Sequence, residues 1–222
     1  MIFILTYEQI KKDPSIRAYI KRADESLCAL GYTEHSFAHV AKVAETVRYI
    51  LSTLGFSERD IEVACIAAYM HDIGNLVNRV DHSQSGAIMA FRILDKLGME
   101  ANELATVVTA IGNHDEGTGV PVNPIAAALI LGDKSDVRRT RVRNTDTSTF
   151  DIHDRVNFSV TESTLKIDCD KKEMVLNITI DTKYSSVMEY FEIFLERMVL
   201  CKKASEALGL SFRLFINGQQ LV

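Results

Sequence analysis

The segment over residues 61–70 constrains the fold of this chain more than any other feature, because it is apolar on nearly every face. Its sequence is IEVACIAAYM, and Glu62 is its only charged residue. Ser57, followed three residues later by Asp60, is typical of a capping box at the start of a helix. A helix that is apolar all round is buried at the centre of its domain. We therefore expect the other elements to pack around this segment.

Further segments before residue 150 also carry the signals of helices. Their apolar residues recur at helical spacing. They cover residues 7–30 (one or two helices, broken near Pro14), 40–54, 87–97, 103–111 and 125–131. Gly55 and Gly98 are natural helix stops, and Asn123 followed by Pro124 is a typical helix start. The first two-thirds of the chain are therefore predicted to be helical.

Alternation of apolar and polar residues replaces the helical spacing after about Phe150. Residues 165–169 and 174–180 alternate on either side of a polar turn, which predicts a β-hairpin. A helical stripe follows over residues 187–198, and residues 212–216 then alternate again. This part of the chain is therefore predicted to contain strands, one helix, and strands again.

Asn217-Gly218 is a strong signal for a two-residue hairpin near the end of the sequence. Residues 151–161 fit either a helix or a strand. The fold class that we predict is mainly α, with an all-helical core followed by a small C-terminal α+β unit. We place the helical domain at residues 1–150 and the small α+β domain (hairpin, helix, hairpin) at residues 151–222.

Composition and charge exclude several classes of protein. Hydrophobic residues make up 47% and charged residues 25% of the chain, which is typical of a globular protein rather than a disordered one. The net charge of -5 gives no general basic field, so we expect no nucleic-acid scaffold as partner. No apolar run approaches the ~20 residues that span a bilayer, and the apolar start at residues 1–5 is too short for a signal peptide. We expect no membrane association and a cytoplasmic location.

The four cysteines fit this compartment, because they are scattered and form no CxxC pair. Cys65 and Cys201 lie within apolar helical patterns, and we expect them to be small buried residues. The other two are Cys28 and Cys169. The sequence predicts neither a disulfide framework nor a cysteine-based zinc site.

Histidine and aspartate side chains occupy inward positions of the predicted helices. His39 lies one turn before Val43, on the core side of its helix, and His35 lies another turn earlier on the same face. His71 and Asp72 close the central apolar helix, so both side chains are expected near the centre of the fold.

Three more residues extend this pattern to other helices. Asp133 lies on the inward stripe of its predicted helix, and His82 and His114 lie at the open ends of two others. Any one of them is compatible with an ordinary hydrogen-bonded core residue. A buried carboxylate must be paired or bound to a metal, because an isolated buried charge is costly. The whole set predicts a metal site, and mixed imidazole and carboxylate ligands suit Fe, Mn, Co, Ni or Zn.

The order of these residues resembles the H…HD…D signature of the HD-domain superfamily of metal-dependent phosphohydrolases. The matching residues are His39, His71, Asp72 and Asp133, in the segments HVAKVA, MHDIG and LGDK. The resemblance covers about residues 30–145. His82 and His114 resemble the additional ligands of the six-ligand, dinuclear branch of the superfamily.

This resemblance implies a metal-dependent phosphohydrolase that holds two divalent transition metal ions per chain. Asp72 would be the catalytic residue that bridges the two metals, and a water between them would attack phosphorus. Some members of the dinuclear branch cleave nucleotide phosphoanhydrides or cyclic dinucleotides, so the expected substrate is a phosphate ester or anhydride of a nucleotide. Two alternatives stay open, a diiron oxygenase on the same ligands and a non-catalytic module that binds a nucleotide through its metal site.

Two histidines compete for one ligand position in this resemblance. We favour His39, because Val43 and Ala44 at the fourth and fifth positions after it match the usual context of the superfamily. His35 is then expected to support the metal ligands from outside. No Walker loop, GxGxxG or Ser-His-Asp arrangement suggests a different mechanism.

Three residues are candidates for binding the substrate. Members of the superfamily often carry a lysine where this sequence has Asn75, whose neutral amide can still hydrogen-bond a phosphate oxygen. Lys134 directly follows Asp133, and Arg138 lies five residues after it, near the same predicted helix face. We expect both cations to contact a phosphate, because ammonium and guanidinium groups bind phosphate oxygens well.

The C-terminal unit has no cluster of histidines or carboxylates that would form a second site. Its few strands need partners for their apolar faces and edges. Leu214, Ile216 and the terminal Leu221-Val222 are available for packing on another copy of the chain. We therefore predict a homodimer through this unit, with packing on the chain's own helical domain as the alternative.

Overall fold

The computed structural model describes residues 4–222, and most of that length is helical. The expectation about the apolar start therefore lies largely outside the described residues, because residues 1–3 are not among them. The helices are α1 (Tyr7–Lys12), α2 (Pro14–Ala29), α3 (Phe37–Thr53), α4 (Glu58–Met70), α5 (His82–Lys96), α6 (Ala101–Gly112), α7 (Pro124–Lys134), α8 (Ile152–Ser159) and α9 (Val187–Ala207). The strands are β1 (Val160–Asp168), β2 (Glu173–Ile180), β3 (Ser211–Ile216) and β4 (Gln219–Gln220).

Helix α4 lies at the centre of the helical layer, as its composition predicts. Every residue from Val63 to Met70 is buried. Ser57 caps it by accepting a hydrogen bond from the backbone N–H of Asp60. Glu62, the exception in the apolar pattern, is half-buried and accepts hydrogen bonds from Arg48 and from the backbone N–H of Tyr7. Glu62 thus ties α4 to the surrounding helices.

Local capping explains where several other helices begin. Asp13 caps α2 and Pro14 occupies its first position, so the helix break predicted near Pro14 is confirmed. Asn123 caps α7 as predicted, by accepting from the N–H of Ala126. Helix α5 begins at His82, five residues earlier than the apolar spacing indicates, because its first turn is polar.

The ambiguous segment over residues 151–161 contains both kinds of structure. Asp151 caps the short helix α8 through the N–H of Asp154, and β1 begins directly after this helix. Strands β1 and β2 then form the predicted antiparallel hairpin. The periodicity alone was ambiguous because a helix and a strand meet within eleven residues.

The four strands form one sheet in the order β1-β2-β3-β4. Strand β3 runs parallel to β2, and α9 makes the connection between them. Strands β3 and β4 form the predicted terminal hairpin, in which Asn217 and Gly218 both adopt positive φ values of 51° and 79°. Such a two-residue turn favours Asn-Gly, since both positions need a left-handed backbone. The predicted fold class, a helical core followed by a small α+β unit, is confirmed.

One continuous hydrophobic core joins the helical part to the C-terminal unit. Helix α9 packs against α7 on one side and against β3 on another. Leu214 and Ile216 are buried within the chain, and the backbone N–H of Leu221 donates to the carbonyl of Leu214. Only Leu221 and Val222 of the residues proposed for a dimer contact are exposed. The division into two domains and the homodimer stay predictions.

The lengths of the helices and the positions of the cysteines can be compared with the predictions. Among the helices of residues 4–222, none is both long and apolar enough to cross a membrane. Cys65 and Cys201 are buried free thiols, as predicted, whereas Cys28 and Cys169 are exposed.

Candidate metal centre

The end of α4 delivers two polar side chains to the middle of the protein. His71 follows the last residue of α4 and is fully buried, and Asp72 is nearly so. A short 3-10 helix, Ile73–Leu76, continues directly from Asp72. The buried helix thereby fixes the position of both side chains.

One half of the polar cluster, here called the first half-site, comprises His39 of α3, His71, one oxygen of Asp72 and Asp133 of α7. His39 Nε2 lies 3.3 Å from Asp133 Oδ1, and His71 Nε2 lies 3.3 Å from Asp72 Oδ2. The crossed distances, from His39 to Asp72 and from His71 to Asp133, are both 3.7 Å. Four donor atoms from three helical elements therefore converge.

The other half, the second half-site, uses the remaining oxygen of Asp72. His82 Nε2 lies 3.4 Å from Asp72 Oδ1, and His114 Nε2 lies 3.9 Å from it. The Nε2 atoms of His82 and His114 are 3.2 Å apart. Asp72 thus directs one carboxylate oxygen towards each half-site. The structure brings together all six residues predicted as metal ligands, in groups whose donor atoms can hold a metal ion.

A close approach of two backbone segments makes the second half-site possible. A Cβ atom on Gly74 would lie 1.9 Å from the backbone oxygen of His82 and 2.5 Å from the backbone nitrogen of Gly86. Only glycine at position 74 lets the start of α5 pack this closely on the turn after Asp72.

Each of the four histidines is oriented by a hydrogen bond on the side away from the cluster. In every case Nδ1 lies within 3.1 Å of an acceptor oxygen. The pairs are His39 with Asp136 Oδ2, His71 with the carbonyl of Ala68, His82 with the carbonyl of Arg79, and His114 with the carbonyl of Ile111. Because these oxygens only accept, each Nδ1 carries a proton, and in the neutral form of each ring Nε2 presents its lone pair to the cluster.

This arrangement fits a bound divalent cation. The Nε2 atoms of His39 and His71 are buried and have no hydrogen-bond partner among residues 4–222. Those of His82 and His114 face each other with two lone pairs. A cation satisfies such a set of acceptors, and hydrogen bonds from the outer imidazole nitrogen are typical of metal-binding histidines. The mixed nitrogen and oxygen donors suit Fe, Mn, Co, Ni or Zn.

Asp136 supports the first half-site and was not predicted from the sequence. Its carboxylate accepts from His39 Nδ1 at 2.8 Å and from Arg138 Nε at 2.6 Å. Burial alone would raise the pKa of Asp136, but the hydrogen bonds from His39 and Arg138 lower it well below its usual range. Its position three residues after Asp133 was the available signal.

Arg138 therefore differs from its predicted role. Its guanidinium is held by Asp136, behind His39, and it is not among the residues that line the cavity beside the cluster. The prediction extended the helix face of Asp133 by five residues, but α7 ends at Lys134 and the chain turns away. The structure gives Arg138 a supporting contact in place of the expected contact with phosphate.

Asn75 also serves the cluster from behind. Its amide group donates to the backbone oxygen of Asp72 at 2.9 Å and to Asp72 Oδ1 at 3.0 Å. Asn75 is buried and does not line the cavity. It orients Asp72, and the structure does not place it where the predicted contact with a phosphate could form.

Lys134 lies at the cavity, as predicted, but its ammonium group is already paired. Nζ lies 2.6 Å from Asp133 Oδ2 and 2.5 Å from Glu116 Oε2. Burial would raise the pKa of Asp133, whereas the neighbouring ammonium group of Lys134 lowers it well below its usual range. Asp133 is thus held as a carboxylate. Contact of Lys134 with a substrate stays a prediction.

His35 lies beside the cluster without belonging to it. The prediction placed it on the helix of His39, but α3 begins only at Phe37, after its cap Ser36. Nδ1 of His35 donates to the carbonyl of Thr33 at 2.7 Å, and the ring of His35 packs edge-on against His39. Burial holds the pKa of His35 well below its usual value. The side chain lines the cavity, in keeping with a supporting position.

A cavity of about 370 Å³ opens onto Asp72, His82 and Asp133. Residues of the C-terminal unit form part of its wall, and sequence reasoning missed all of them. They include Asp154 and Asn157 of α8 and Phe194 and Arg197 of α9. Arg197 donates to Glu116 Oε1 at 3.2 Å, and Glu116 in turn contacts Lys134. No local signal marks this pair, since its partners are 81 residues apart.

A helical core that encloses buried imidazoles and carboxylates, arranged around a cavity, defines a helical metal-binding protein. The HD domain family matches residues 36–155, more than half of the chain. The chain belongs to the HD-domain family, and the resemblance found in the sequence is confirmed.

Individual proteins that are similar to this chain include one from Methanocaldococcus jannaschii and one from an uncultured Thermotogales bacterium. The uncharacterized protein MJ1020 of Methanocaldococcus jannaschii is 25% identical over 162 residues, which are 63% of this chain. The chain spans 62% of the length of that relative, under two thirds. The crystal structure of a predicted HD superfamily hydrolase from an uncultured Thermotogales bacterium is 24% identical, with a TM-score of 0.43, over 59% of this chain and 73% of that one.

Proposed function

We propose that the protein is a metal-dependent phosphohydrolase that cleaves a phosphate ester or anhydride, in a nucleotide, with a metal-activated water. The observation that carries the proposal is the placement of Asp72. Its carboxylate oxygens have different neighbours, since Oδ2 lies 3.3 Å from His71 Nε2 and Oδ1 lies 3.4 Å from His82 Nε2. A carboxylate with one oxygen in each donor group is suited to bridge two cations.

The residues would divide into two ligand sets. His39, His71, Asp72 and Asp133 would hold one ion, and Asp72, His82 and His114 would hold a second. A pair of divalent cations held here would lower the pKa of a bound water and would neutralise charge on a phosphate. Asn75 and Asp136 keep Asp72 and His39 in place, so the donor set is formed before a substrate arrives.

The size and lining of the cavity are compatible with a substrate that carries an organic group as well as a phosphate. Its volume of about 370 Å³ is in the range of pockets that bind small molecules and cofactors. Tyr32 and Phe194 contribute aromatic surface to its wall. An aromatic and polar wall beside a metal centre is compatible with a nucleoside attached to the phosphate.

The test is a phosphatase screen combined with elemental analysis. Protein purified without added metal is expected to contain divalent transition metal. It is also expected to hydrolyse members of a panel of nucleoside mono-, di- and triphosphates, cyclic nucleotides and simple esters, with phosphate, pyrophosphate and nucleoside monophosphate measured as products. Asp72→Ala should abolish both metal content and turnover. Asp95→Ala, at an exposed position of α5, is the matched control and should change neither.

Two outcomes would overturn the proposal. Turnover that requires molecular oxygen, from an iron-loaded protein that hydrolyses no phosphate compound under nitrogen, would indicate the diiron oxygenase. Tight binding of one nucleotide with no turnover, under air and under nitrogen, would indicate the binding module.

A further inference from the structure

Four cationic side chains line the cavity beside the metal centre. They are Arg79, Lys134, Arg141 and Arg197. A phosphate needs cations whose charge is not already neutralised by the protein, because a paired guanidinium or ammonium must give up its partner to bind it. The partners of each cation therefore indicate which one is available.

Three of the four cations are committed to groups of the protein. Lys134 and Arg197 share Glu116 between them. Arg141 is buried and donates to the backbone oxygens of Glu34 and Asp136, at 2.8 Å and 2.6 Å. Its Nη1 also lies 3.7 Å from the Asp136 carboxylate. These three side chains hold the walls of the site together.

Arg79 is different, because within residues 4–222 it forms no ion pair with a carboxylate. It is half-buried, and Nη1 donates weakly to Asn75 Oδ1 at 3.4 Å. Its guanidinium lies 5.6 Å from the ring centroid of Tyr32, and this aromatic ring carries no negative charge that would neutralise the guanidinium. The positive charge of Arg79 is thus exposed to the cavity.

The remaining contact of Arg79 brings it against the second half-site. Nη1 lies 3.3 Å from His82 Nε2, the atom that we assign as a metal donor. A metal bound by His82 would take this lone pair, so the guanidinium would need another acceptor. A cation beside a metal centre is stabilised by an anion that touches both, and a phosphate offers several oxygens in the fork geometry of arginine.

We propose that Arg79 binds the non-bridging oxygens of the substrate's phosphoryl group and is the residue that selects for phosphate at this site. The inference rests on the proposed function, which supplies a phosphate at the metal centre. Arg79 thereby supplies the charge that the neutral Asn75 lacks. Its backbone carbonyl also orients His82, so side chain and main chain serve the same half-site.

The experiment measures binding of inorganic phosphate to the metal-loaded protein by calorimetry, with elemental analysis of every sample. Arg79→Gln should keep its metal, since Arg79 is not a ligand, and should weaken phosphate binding about 10- to 100-fold, the usual effect of losing a charged hydrogen-bonding partner. Arg79→Lys should recover part of the loss. Arg92→Gln, at an exposed position of α5 away from the cavity, is the matched control and should bind as wild type.

Turnover gives a second readout. With a hydrolysed substrate, Arg79→Gln should raise KM or lower kcat/KM by a similar factor, whereas Arg92→Gln should not. Unchanged phosphate affinity and unchanged kcat/KM in Arg79→Gln with full metal content would overturn the inference and leave the proposed function intact. Metal-dependent phosphate binding that requires Arg79, in a protein that hydrolyses no phosphate compound, would support the inference and refute the proposed function. A wild-type protein that neither binds phosphate nor hydrolyses a phosphate compound would overturn both.

Discussion

Replacing Arg197 by methionine should lower the stability of the whole protein, although Arg197 lies in the C-terminal unit. Arg197 of α9 reaches Glu116 in the connection after His114, with Nη2 and Nε at 3.2 Å and 3.3 Å from one carboxylate oxygen. Its side chain is only 18% exposed and that of Glu116 only 21%, so solvent screens this ion pair little. Methionine keeps an unbranched chain against Phe194, over which the guanidinium packs, and removes the charge.

The size of the effect follows from these distances. Two unit charges 3.2 Å apart attract by about 5 kcal/mol at an effective dielectric constant of about 20. Desolvation of both groups offsets part of this attraction. Glu116 also keeps Lys134 as a partner at 2.5 Å. We therefore expect Arg197→Met to lower the free energy of unfolding by about 2–3 kcal/mol, somewhat below the range for breaking a buried ion pair.

Urea denaturation at one fixed metal concentration measures this loss, since bound metal itself stabilises the folded state. The control is Arg213→Met. Arg213 pairs with Glu173 on the sheet and its side chain is 35% exposed. Its substitution should therefore lower the free energy of unfolding by less than about 1 kcal/mol. Arg197→Met should also release metal more readily from the second half-site, because Glu116 anchors the segment that carries His114.

A double-mutant cycle with Glu116→Gln tests whether the ion pair is the cause. If the pair acts as described, Arg197→Met should cost far less in the Glu116→Gln background, with a coupling energy of about 2 kcal/mol. Additive effects, with a coupling below about 0.5 kcal/mol, would refute the electrostatic reasoning. The loss would then come from packing of α9.

Three further predictions concern the metal centre and its surroundings. Asp72→Ala should lose both metal ions while His114→Ala loses only one, and elemental analysis that finds a full complement in Asp72→Ala would exclude the bridging role. Gly74→Ala should lower the free energy of unfolding by about 2–3 kcal/mol and reduce metal content, since its Cβ would overlap a backbone oxygen at 1.9 Å. The control is Gly112→Ala, which should do neither, because the nearest atom to its Cβ would be 3.6 Å away. Equal effects of the two substitutions on urea denaturation would contradict the steric reasoning. Burial raises the pKa of the Cys201 thiol to about 12, so almost none of it is thiolate at pH 8. Mass spectrometry after iodoacetamide treatment should therefore find Cys201 unlabelled until urea unfolds the protein. The exposed cysteines should react at once.

The cluster was predictable from the sequence because helical periodicity and burial both act locally. An apolar helix that ends in His71-Asp72 must place these side chains near the centre of the fold. The inward stripes of two other helices then bring His39 and Asp133 to the same place. Predicting such residues requires no knowledge of the tertiary structure beyond which face of each helix is buried.

The surroundings of the cluster were not predictable in this way. Arg138 was placed wrongly because helical spacing holds only within a helix, and α7 ends four residues before it. The contact between Arg197 and Glu116 depends on how α9 packs against α7, which no local pattern encodes. Arg79 lies in an irregular segment between the 3-10 helix and α5, where no periodicity assigns a face.

The parallel pairing of β2 with β3 has a consequence for the motions of α9. The helix connects two strands that are hydrogen-bonded to each other along six register positions, so both of its ends are fixed to the same sheet. Detaching α9 would strain or break strand pairing, and the helix and the sheet should therefore open as one cooperative unit. Amide hydrogens in the middle of α9 should exchange with deuterium at rates that match those of β2 and β3. Thermal fluctuation at the wall of the cavity is thus limited by the stability of the sheet.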